Sequence, residues 1–536
     1  RWIQQWVPNP RFVLSSAAGD TLALRRDVSR VLDDPDRVPP DPEGIVILAH
    51  YFPEMVKAFA RFPSDAWVEV AAEAGVPLQP VRTPEEALQD PALLAEDAIV
   101  DLEHPVHGAL RQAGILYGLS KTPGRVQGPV PTVGQHTDEI LDAPRPRGAP
   151  PVPRRVERAP LEGITVLDLG FAVAGPFATQ VLADLGANVI KVNAWRDPWW
   201  HAQHIAYGCN RGKRSIGIDL KTPEGLTVLH RLVADADVVH SNMRRDALRR
   251  LRCDEESLRE VNPHLIYCHT RGFDRGPRSD LPGNDQTGCS LAGVTYEDGG
   301  CRDGGRPFWS LTSLGDTGNG FLSVIGVIQA LYHRARTGEA QTVDTSILNA
   351  AMLLASMAAV KADGTPLPRP HLDNMQLGLD PLYRLYETHD GWMCLAAVTE
   401  AHRSALAETT GIGPDELHAE QLDPWFAQRS AREAFNVLDR AGVPCERCDP
   451  DFGAGIFDDP EMDRRGLVVH QQHPKLGEFN HFGTTIDFSD TPGRIWGPPP
   501  VCGQHTREIM HEHGFEDAEV DKLIDAKAVF EDHWVD

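Results

Sequence analysis

The sequence predicts an α/β protein with a parallel, nucleotide-fold-like sheet and, separately, an internal repeat, and one observation carries each prediction. First, GITVLDLGFAVAGPFATQVLADLGANVIKV (163–192) runs from an apolar stretch through a small-residue turn and an amphipathic stretch to a second apolar stretch. Such a β-α-β unit implies parallel strands. Second, TPGRVQGPVPTVGQHTDEI (122–140) recurs as TPGRIWGPPPVCGQHTREI (491–509), with thirteen of nineteen positions identical. The chain therefore carries one C-terminal-looking segment twice.

Composition narrows the class of protein. The 536 residues suit two to four domains, and a formal net charge of −25 argues against non-specific nucleic-acid binding, which needs a basic surface. No apolar run reaches the ~20 residues of a membrane span, and no secretory signal opens the chain. Nine cysteines form an odd set, which favours a reducing, cytoplasmic location. Because the first residue is Arg1, we expect a further N-terminal part.

The repeat extends beyond its opening motif. AGVPLQPV (74–81) matches AGVPCERC (441–448) at an offset of 367 residues. EHPVHG (103–108) matches QHPKLG (472–477) at an offset of 369, which implies a two-residue insertion between the two matches. Residues 1–140 therefore resemble the end of a first copy whose front half is missing.

The pair CERC contains a CxxC motif that could be a redox or zinc site. Its Cys445 and Cys448 correspond to Leu78 and Val81 in the first copy. Apolar counterparts favour two small core residues instead.

Between the copies, residues 141–160 form a Pro/Arg-rich linker, and a new domain begins at Leu161. Its first strand is predicted at Ile164–Leu169, its first helix at about 176–185 and its second strand at Val189–Val192. The helix places three apolar side chains on one face, namely Phe177, Val181 and Leu182. The turn is neither a P-loop nor a GxGxxG motif, so NAD or ATP binding by those mechanisms is not supported.

Further elements follow along the chain. Strands are predicted within 235–242 and 264–273, and an amphipathic helix within 320–338 that ends at Gly338. The predicted buried stripe of this helix consists of Val324, Ile325, Ile328 and Leu331.

Three stretches contain chemistry-bearing residues. In SLGDTGNGF (313–321), glycines surround Asp316 at a predicted helix start, which suits a carboxylate nucleophile beside backbone N–H donors. An N-cap aspartate is the structural alternative. The stretch 210–225 holds a basic cluster that suits a phosphate-bearing ligand, or alternatively a solvated face. The loop 271–288 is either part of a site or a surface connection. The basic cluster consists of Arg211, Lys213, Arg214 and Lys221.

Taken in order, these motifs resemble the class III CoA-transferase family of CaiB/BaiF type, which includes formyl-CoA and carnitine CoA-transferases and 2-methylacyl-CoA racemases. The resemblance is carried by eight stretches, namely 163–192, NRGKRSIGIDLKTPEG, DADVVHSN, LGDTGNG, RTGEAQTVDTSILNA, YRLYETHDGWMCLA, AGVP and TPGR…GQHT. It covers nearly all of 161–510, and residues 1–140 resemble the C-terminal half of the same family.

The resemblance implies a CoA-transferase that moves CoA from an acyl-CoA donor to a carboxylate acceptor, without a permanently bound cofactor or metal. Asp316 would be the nucleophile that forms aspartyl anhydride and thioester intermediates. The implied CoA contacts share matching positions in the family motifs and comprise Val173, Lys221, Asn242, Met243, Arg250 and Leu251, with Arg211 and Lys213 ranked lower.

The resemblance also implies an architecture. The family fold is a Rossmann-like large domain with a smaller α+β domain, and two chains interlock as a dimer. A tandem duplication would build that pair as an internal pseudo-dimer, with a homodimer as the alternative. The implied divisions are a small domain and C-terminal part of the first copy (1–140), the linker (141–160), a large domain (161–370), a small domain (371–470) and a returning C-terminal segment (471–536).

Departures from the family pattern limit the substrates. Asn193 replaces the usual Glu, while Val173 and Pro282 replace a glutamine and a lysine of formyl-CoA transferase, so oxalate and formate are not expected. Racemases carry PGHD where this chain has PGND. Asn284 cannot exchange a proton at neutral pH. A racemase or lyase and a CoA-binding inactive scaffold remain the alternatives.

Overall fold

The computed structural model describes residue 57 and residues 59–143, 158–195, 197, 200, 207–310 and 313–532. Predictions that concern residues 1–56 and most of the linker lie outside these ranges. None of the helices in the described ranges has the length and apolar character of a membrane span.

The core of the molecule is one eight-stranded sheet. Its strands are β3 (Gly118–Leu119), β4 (Thr165–Asp168), β5 (Asn188–Asn193), β6 (Arg214–Ile218), β7 (Val238–Ser241), β8 (Ile266–Arg271), β9 (Thr342–Ser346) and β17 (Val529–Phe530). Their spatial order is β17-β6-β5-β4-β7-β8-β9-β3, and the six inner strands are parallel. In chain order those six run 3-2-1-4-5-6, which is the Rossmann order. The predicted strands and parallel sheet are therefore confirmed.

Helices cover both faces of this sheet. They are α5 (Ala174–Asp184), α6 (Pro223–Asp235), α7 (Arg245–Arg250), α8 (Glu255–Val261), α9 (Asp285–Ala292), α10 (Val294–Glu297), α11 (Leu314–Thr337) and α12 (Ile347–Leu354). Successive strand residues point to opposite faces, so that Leu167 belongs to one apolar cluster and Val166 to another.

The predicted stripe of α11 is partly wrong. Val324 is buried, but Ile325 and Ile328 are 43% and 38% exposed. The buried face contains glycines instead. A Cβ at Gly320 would lie 2.6 Å from Cδ1 of Phe177, and one at Gly326 2.5 Å from Cγ1 of Val343. Because α11 approaches its neighbours this closely, its glycine face is buried and its bulky β-branched face is exposed.

The two related segments fold into the same succession of elements. The first has α1 (Ser64–Ala74), α2 (Pro84–Ala87), α3 (Pro91–Leu94), β1 (Ile99–His104), β2 (Gly108–Ala113) and α4 (Thr137–Asp142). The second has α15 (Ala431–Arg440), α16 (Phe452–Gly455), α17 (Pro460–Arg464), β15 (Val468–His473), β16 (Gly477–Phe482) and α18 (Thr506–Glu512). Each of these β-hairpins is antiparallel with matching register.

A smaller α+β unit follows the large sheet. It contains β11 (Gly378–Asp380), β12 (Tyr383–Glu387), β13 (Trp392–Ala396), β14 (Cys445–Cys448), α13 (Glu400–Thr410) and α14 (Ala419–Ala427), together with α15. Cys445 packs against its core, but Cys448 is exposed, so the expectation of two core cysteines is wrong for Cys448. The described residues also contain β10 (Val360–Lys361) and α19 (Asp517–Asp525).

The two related segments make different contacts with the large sheet. β3 of the first segment pairs with β9 at one edge, and β2 pairs with β10. β17, from the C-terminal end of the chain, pairs with β6 at the other edge. The C-terminal end of the chain therefore returns to the large sheet.

Candidate active site

A candidate site lies where the strand order reverses. In an open parallel sheet, ligands bind beyond the carboxyl ends of the strands at the switch point, which is here between β4 and β7. The loop after β4 leads into α5, with Ala172 in the left-handed region at φ 55° and Val173 as the residue before the helix. No side chain caps this helix start. Its first amide groups therefore face this edge without a side-chain acceptor.

Asn242 holds this loop in place. It follows β7 directly, and its Oδ1 accepts a hydrogen bond from the Phe171 amide at 2.7 Å. Its Nδ2 donates to the Phe171 carbonyl at 2.8 Å. A Cβ at Gly175 would lie 3.2 Å from Cγ of Asn242. The side chain expected to contact CoA thus also fixes the backbone around Val173.

Asp316 lies at the same edge of the sheet. It belongs to the first turn of the 24-residue helix α11, which begins six residues earlier than the predicted stretch and ends at Gly338 with φ 78°. Because α5 and α11 both run antiparallel to the strands and contact each other at Phe177 and Gly320, their N-termini meet at this edge. Asp316 is therefore not the N-cap of its helix, and the N-cap alternative is wrong.

A second carboxylate contacts the start of α11. Oδ1 of Asp285, the first residue of α9, accepts hydrogen bonds from the amides of Gly315 at 2.6 Å and of Asp316 at 3.0 Å. The Thr317 amide donates to the Ser313 carbonyl. These amides are therefore engaged, and the expectation that they stabilise an oxyanion beside Asp316 is not met. The start of α5 is the better candidate for that role.

These neighbours change the acidity of Asp316. Burial has the larger effect and the negative charge of Asp285 the smaller, and together they raise the pKa of Asp316 to about 8. Burial also raises the pKa of Asp285, against the effect of the two amides that it accepts. The two carboxylates form a coupled pair in which one proton is favoured at neutral pH.

Lys213 is not exposed to solvent. Its Nζ donates to Oδ2 of Asp168 at 2.8 Å, to the Pro176 carbonyl at 2.7 Å and to Asn210. Burial lowers its pKa to about 8. Lys191 lies beside the same carboxylate, with Nζ 3.6 Å from Oδ1 of Asp168. This network joins strand ends to α5, which does not fit a phosphate contact for Lys213.

Arg211 is also committed to internal partners. It is buried and forms an ion pair with Asp184 at 2.7 Å. Its guanidinium also donates to the carbonyls of Phe482 and Gly483, and so attaches the β15–β16 hairpin to the large sheet. Arg211 is therefore neither available to bind a phosphate nor part of a solvated face.

The remaining candidates lie around the same edge. Lys221 is exposed between β6 and α6. Arg250 is exposed at the end of α7, where it pairs with Asp246 at 2.6 Å. Met243 and Leu251 pack partly buried against the core cluster. The structure thus brings Val173 and Asn242 together. It also leaves the side chains of Lys221 and Arg250 exposed, where they can contact a phosphate-bearing ligand.

Sequence reasoning missed Asp285. The signal was present in PGND, because this carboxylate directly follows Asn284. The structure shows that Asn284 caps α9, with Oδ1 accepting from the Thr287 amide at 3.0 Å. The stretch 271–288 therefore contributes a site residue and is more than a surface connection.

With this geometry established, comparison with known proteins decides the family. A model described as CoA-transferase family III matches residues 36–137 and 161–506. The chain belongs to this family. It is an enzyme of this class, whose members use CoA thioesters as substrates.

Individual relatives agree with this assignment. The chain is 34% identical over 393 residues to succinate–glutarate CoA-transferase of Agrobacterium fabrum, which covers 66% of this chain and 96% of that protein. It is 30% identical over 387 residues to the α-methylacyl-CoA racemase of Homo sapiens, and this match covers 69% of this chain and 98% of the human protein. A CaiB/BaiF family protein from Brucella suis superposes with a TM-score of 0.57 at 28% identity, and the match covers 66% of this chain and 100% of that protein. The predicted family and α/β fold are confirmed.

Proposed function

We propose that this family III CoA-transferase transfers CoA from an acyl-CoA donor to a carboxylic acid through covalent intermediates on Asp316. The observation that supports this most directly is the position of Asp316, in the first turn of α11 and next to the uncapped start of α5 at the switch point. A carboxylate there can reach a thioester whose carbonyl oxygen lies at the α5 amides.

The steps balance without any further reactant. An Asp316 oxygen bonds to the thioester carbonyl carbon, the C–S bond breaks, and its electron pair leaves as CoA thiolate. The thiolate then attacks the Asp316 carbonyl of the mixed anhydride, and the donor carboxylate departs. An acceptor carboxylate attacks the aspartyl thioester and expels the thiolate again. Finally the thiolate attacks the acceptor acyl carbon, and the Asp316 carboxylate is regenerated.

The environment of Asp316 suits this role. A carboxylate whose pKa is raised to about 8 is a stronger nucleophile than an ordinary one, at the cost of being mostly protonated at neutral pH. The expected CoA contacts divide into two groups. Lys221 and Arg250 would meet phosphates, while Val173, Asn242, Met243 and Leu251 would line the path to the thioester. Arg211 and Lys213 are left out because both are buried in ion pairs.

The similarity to a succinate–glutarate transferase makes dicarboxylic acids the first acceptors to test. The purified protein would be given succinyl-CoA with a panel of acids, and product CoA thioesters would be measured. Hydroxylamine added with the donor alone should convert Asp316 to a hydroxamate that peptide mass spectrometry detects. Asp316→Ala should lose transfer and labelling, whereas Asp303→Ala, which changes an exposed acid, should keep both. Full transfer by Asp316→Ala would overturn the proposal.

A racemase is the second candidate, because the human relative has that activity by name. A racemase needs an acid–base pair across the α-carbon. Asp316 could be one member, but Asn284 caps α9 and cannot be the other. Loss of α-deuterium from a 2-methylacyl-CoA without any acceptor would favour this candidate. CoA binding without turnover of any donor would favour an inactive scaffold instead.

We also propose that the repeat is a tandem duplication that forms an internal pseudo-dimer. The related segments share six elements in the same order, and both match the same family model. The first segment places β3 on the edge of the second copy's sheet, the position that a partner chain would otherwise fill.

A further inference from the structure

Asp285 makes an unusual set of contacts for a buried carboxylate. It belongs to α9, thirty residues away from the helix whose amides it accepts, and its side chain is buried. Oδ1 takes the Gly315 and Asp316 amides, and Oδ2 takes one hydrogen bond from Nε2 of Gln286 at 3.1 Å. No cation is among these partners.

The first turn of a helix normally stabilises a carboxylate that it carries. Free amide groups and the positive end of the helix dipole both favour the ionised form. In α11 those amides are occupied by Asp285 and by the Ser313 carbonyl. Asp316 therefore has neither the Gly315 amide nor its own amide as a donor, and it faces a second negative group instead.

We propose that Asp285 is a positioning residue for the transfer reaction, which occupies the amides that would otherwise hold the Asp316 carboxylate and so leaves that carboxylate free to attack the thioester. This inference rests on the proposed role of Asp316 as the nucleophile. It assigns a task to a residue that does not itself contact substrate.

The other ionisable groups near Asp316 do not compete for this role. Burial raises the pKa of the Cys289 thiol on α9 and of the Cys209 thiol to about 12, so both stay neutral. Lys213 pairs with Asp168. Among the described residues, Asp285 is thus the charged neighbour whose negative charge adds to the larger effect of burial in raising the pKa of Asp316.

Two substitutions separate the charge of Asp285 from its hydrogen bonds. Asp285→Asn keeps an oxygen that accepts both amides but removes the negative charge. Asp285→Ala removes both and releases the amides to Asp316. In each variant the pKa of Asp316 should fall, so the acidic limb of the kcat profile should move to lower pH. A less basic carboxylate is a weaker nucleophile. Plateau kcat should therefore fall about threefold in Asp285→Asn and roughly 10- to 100-fold in Asp285→Ala.

The measurement uses the full chain with one donor and one acceptor from pH 5 to 9. KM for the donor should change less than about threefold, because Asp285 does not bind it. Asp298→Asn is the matched control, since Asp298 is a partly buried acid on the neighbouring α10 boundary without a bond to α11, and its profile should equal the wild type.

The outcomes distinguish this inference from the proposed function. If hydroxylamine fails to label Asp316 in the wild type, the proposed function fails. If labelling occurs but both Asp285 variants keep the wild-type acidic limb, only this inference fails. A loss of kcat in proportion to a lower melting temperature, with an unmoved limb, would likewise make Asp285 purely structural.

Discussion

The acidity of Asp316 has a consequence for stability. Its pKa is about 8 in the folded chain, against 3.8 for an ordinary aspartate. The folded state therefore keeps a proton that the unfolded chain releases. The stabilisation from this proton is complete below pH 3.8 and is lost progressively as the pH rises through 8. Asp316 thus lowers the stability of the fold at the pH where the proposed reaction needs its ionised carboxylate.

Asp316→Asn should accordingly be more stable than the wild type at pH 8, by about 0.5–2 kcal/mol. The difference in melting temperature should shrink at pH 5, because the wild type then loses less stability to ionisation of its unfolded state. Scanning calorimetry at both pH values measures this. Asp303→Asn should show no such trend. An equal difference at pH 5 and pH 8 would show that the folded-state pKa is not raised.

At the scale of residues, the sequence proposed Asp316 as a site residue because glycines and a helix start surround it, and the structure places it in the first turn of that helix. It could not locate Asp285, whose role depends on a contact between two separate helices. It also misjudged Lys213 and Arg211, since spacing along a chain does not reveal whether a cation faces solvent or an internal carboxylate. Both side chains are in fact buried.

At the scale of elements, Asn242 connects the loop between β4 and α5 to the end of β7. Asn242 supplies both a donor and an acceptor to Phe171. Asn242→Ala should free this loop and with it the amides at the start of α5. We expect a loss of about 1–3 kcal/mol of stability and a tenfold or larger drop in kcat/KM, roughly 1.4 kcal/mol or more.

Denaturant unfolding and steady-state kinetics measure the two effects of Asn242→Ala. Asn188→Ala is the matched control, because Asn188 also accepts hydrogen bonds but lies at the amino end of β5, away from the site. Its kcat/KM should stay near the wild-type value. Unchanged kinetics in Asn242→Ala would show that the loop needs no clamp.

The periodicity of apolar residues predicted the strands and the first helix well, since buried strands and amphipathic helices leave clear patterns. It failed for the exposed face of α11. A pattern of apolar side chains cannot show that a helix packs through its glycines. Ile325 and Ile328 are instead left on the surface together with Tyr332.

At the scale of the whole molecule, an ion pair between Asp90 and Arg278 connects the first of the two related segments to the loop that follows β8. Asp90 is buried and accepts from Arg278 at 2.7 Å and from Arg82 at 2.7 Å. Although burial opposes ionisation, these two guanidinium groups hold the pKa of Asp90 at about 2. This depressed pKa stabilises the contact above pH 3.8, and the stabilisation is lost as the pH falls toward 2.

Asp90→Asn should therefore destabilise the contact of the first segment by about 2 kcal/mol at neutral pH. Acid should destabilise this variant little further, because the carboxylate that titrates is already gone. Hydrogen exchange of residues 84–119, followed by mass spectrometry at pH 7 and pH 3, measures the opening. Asp65→Asn, at an exposed position in α1, is the control. Faster exchange spread evenly over the whole chain would contradict a local role for Asp90.

The repeat finally predicts how the molecule assembles. Leu119 of β3 is 7% exposed on the edge of β9, whereas its counterpart Phe488, at the offset of 369, is 42% exposed. Phe482, the counterpart of Ala113, is 48% exposed. The second segment thus shows an apolar face where the first is docked. In the 536-residue chain, β3 already pairs with β9, the edge strand with which this apolar face would otherwise pair.

Removal of residues 1–160 should uncover that edge. The chain 161–536 is then expected to dimerise, with the exposed segment around Phe488 of each molecule pairing with β9 of the other. Light scattering after gel filtration should give twice the mass of the truncated chain, and Phe488→Asp should return it to a monomer. The full chain should be insensitive to Phe488→Asp, because its β9 edge is occupied. A folded, monomeric 161–536 chain would show that β3 does not stand in for a partner, and the pseudo-dimer explanation of the repeat would then be wrong.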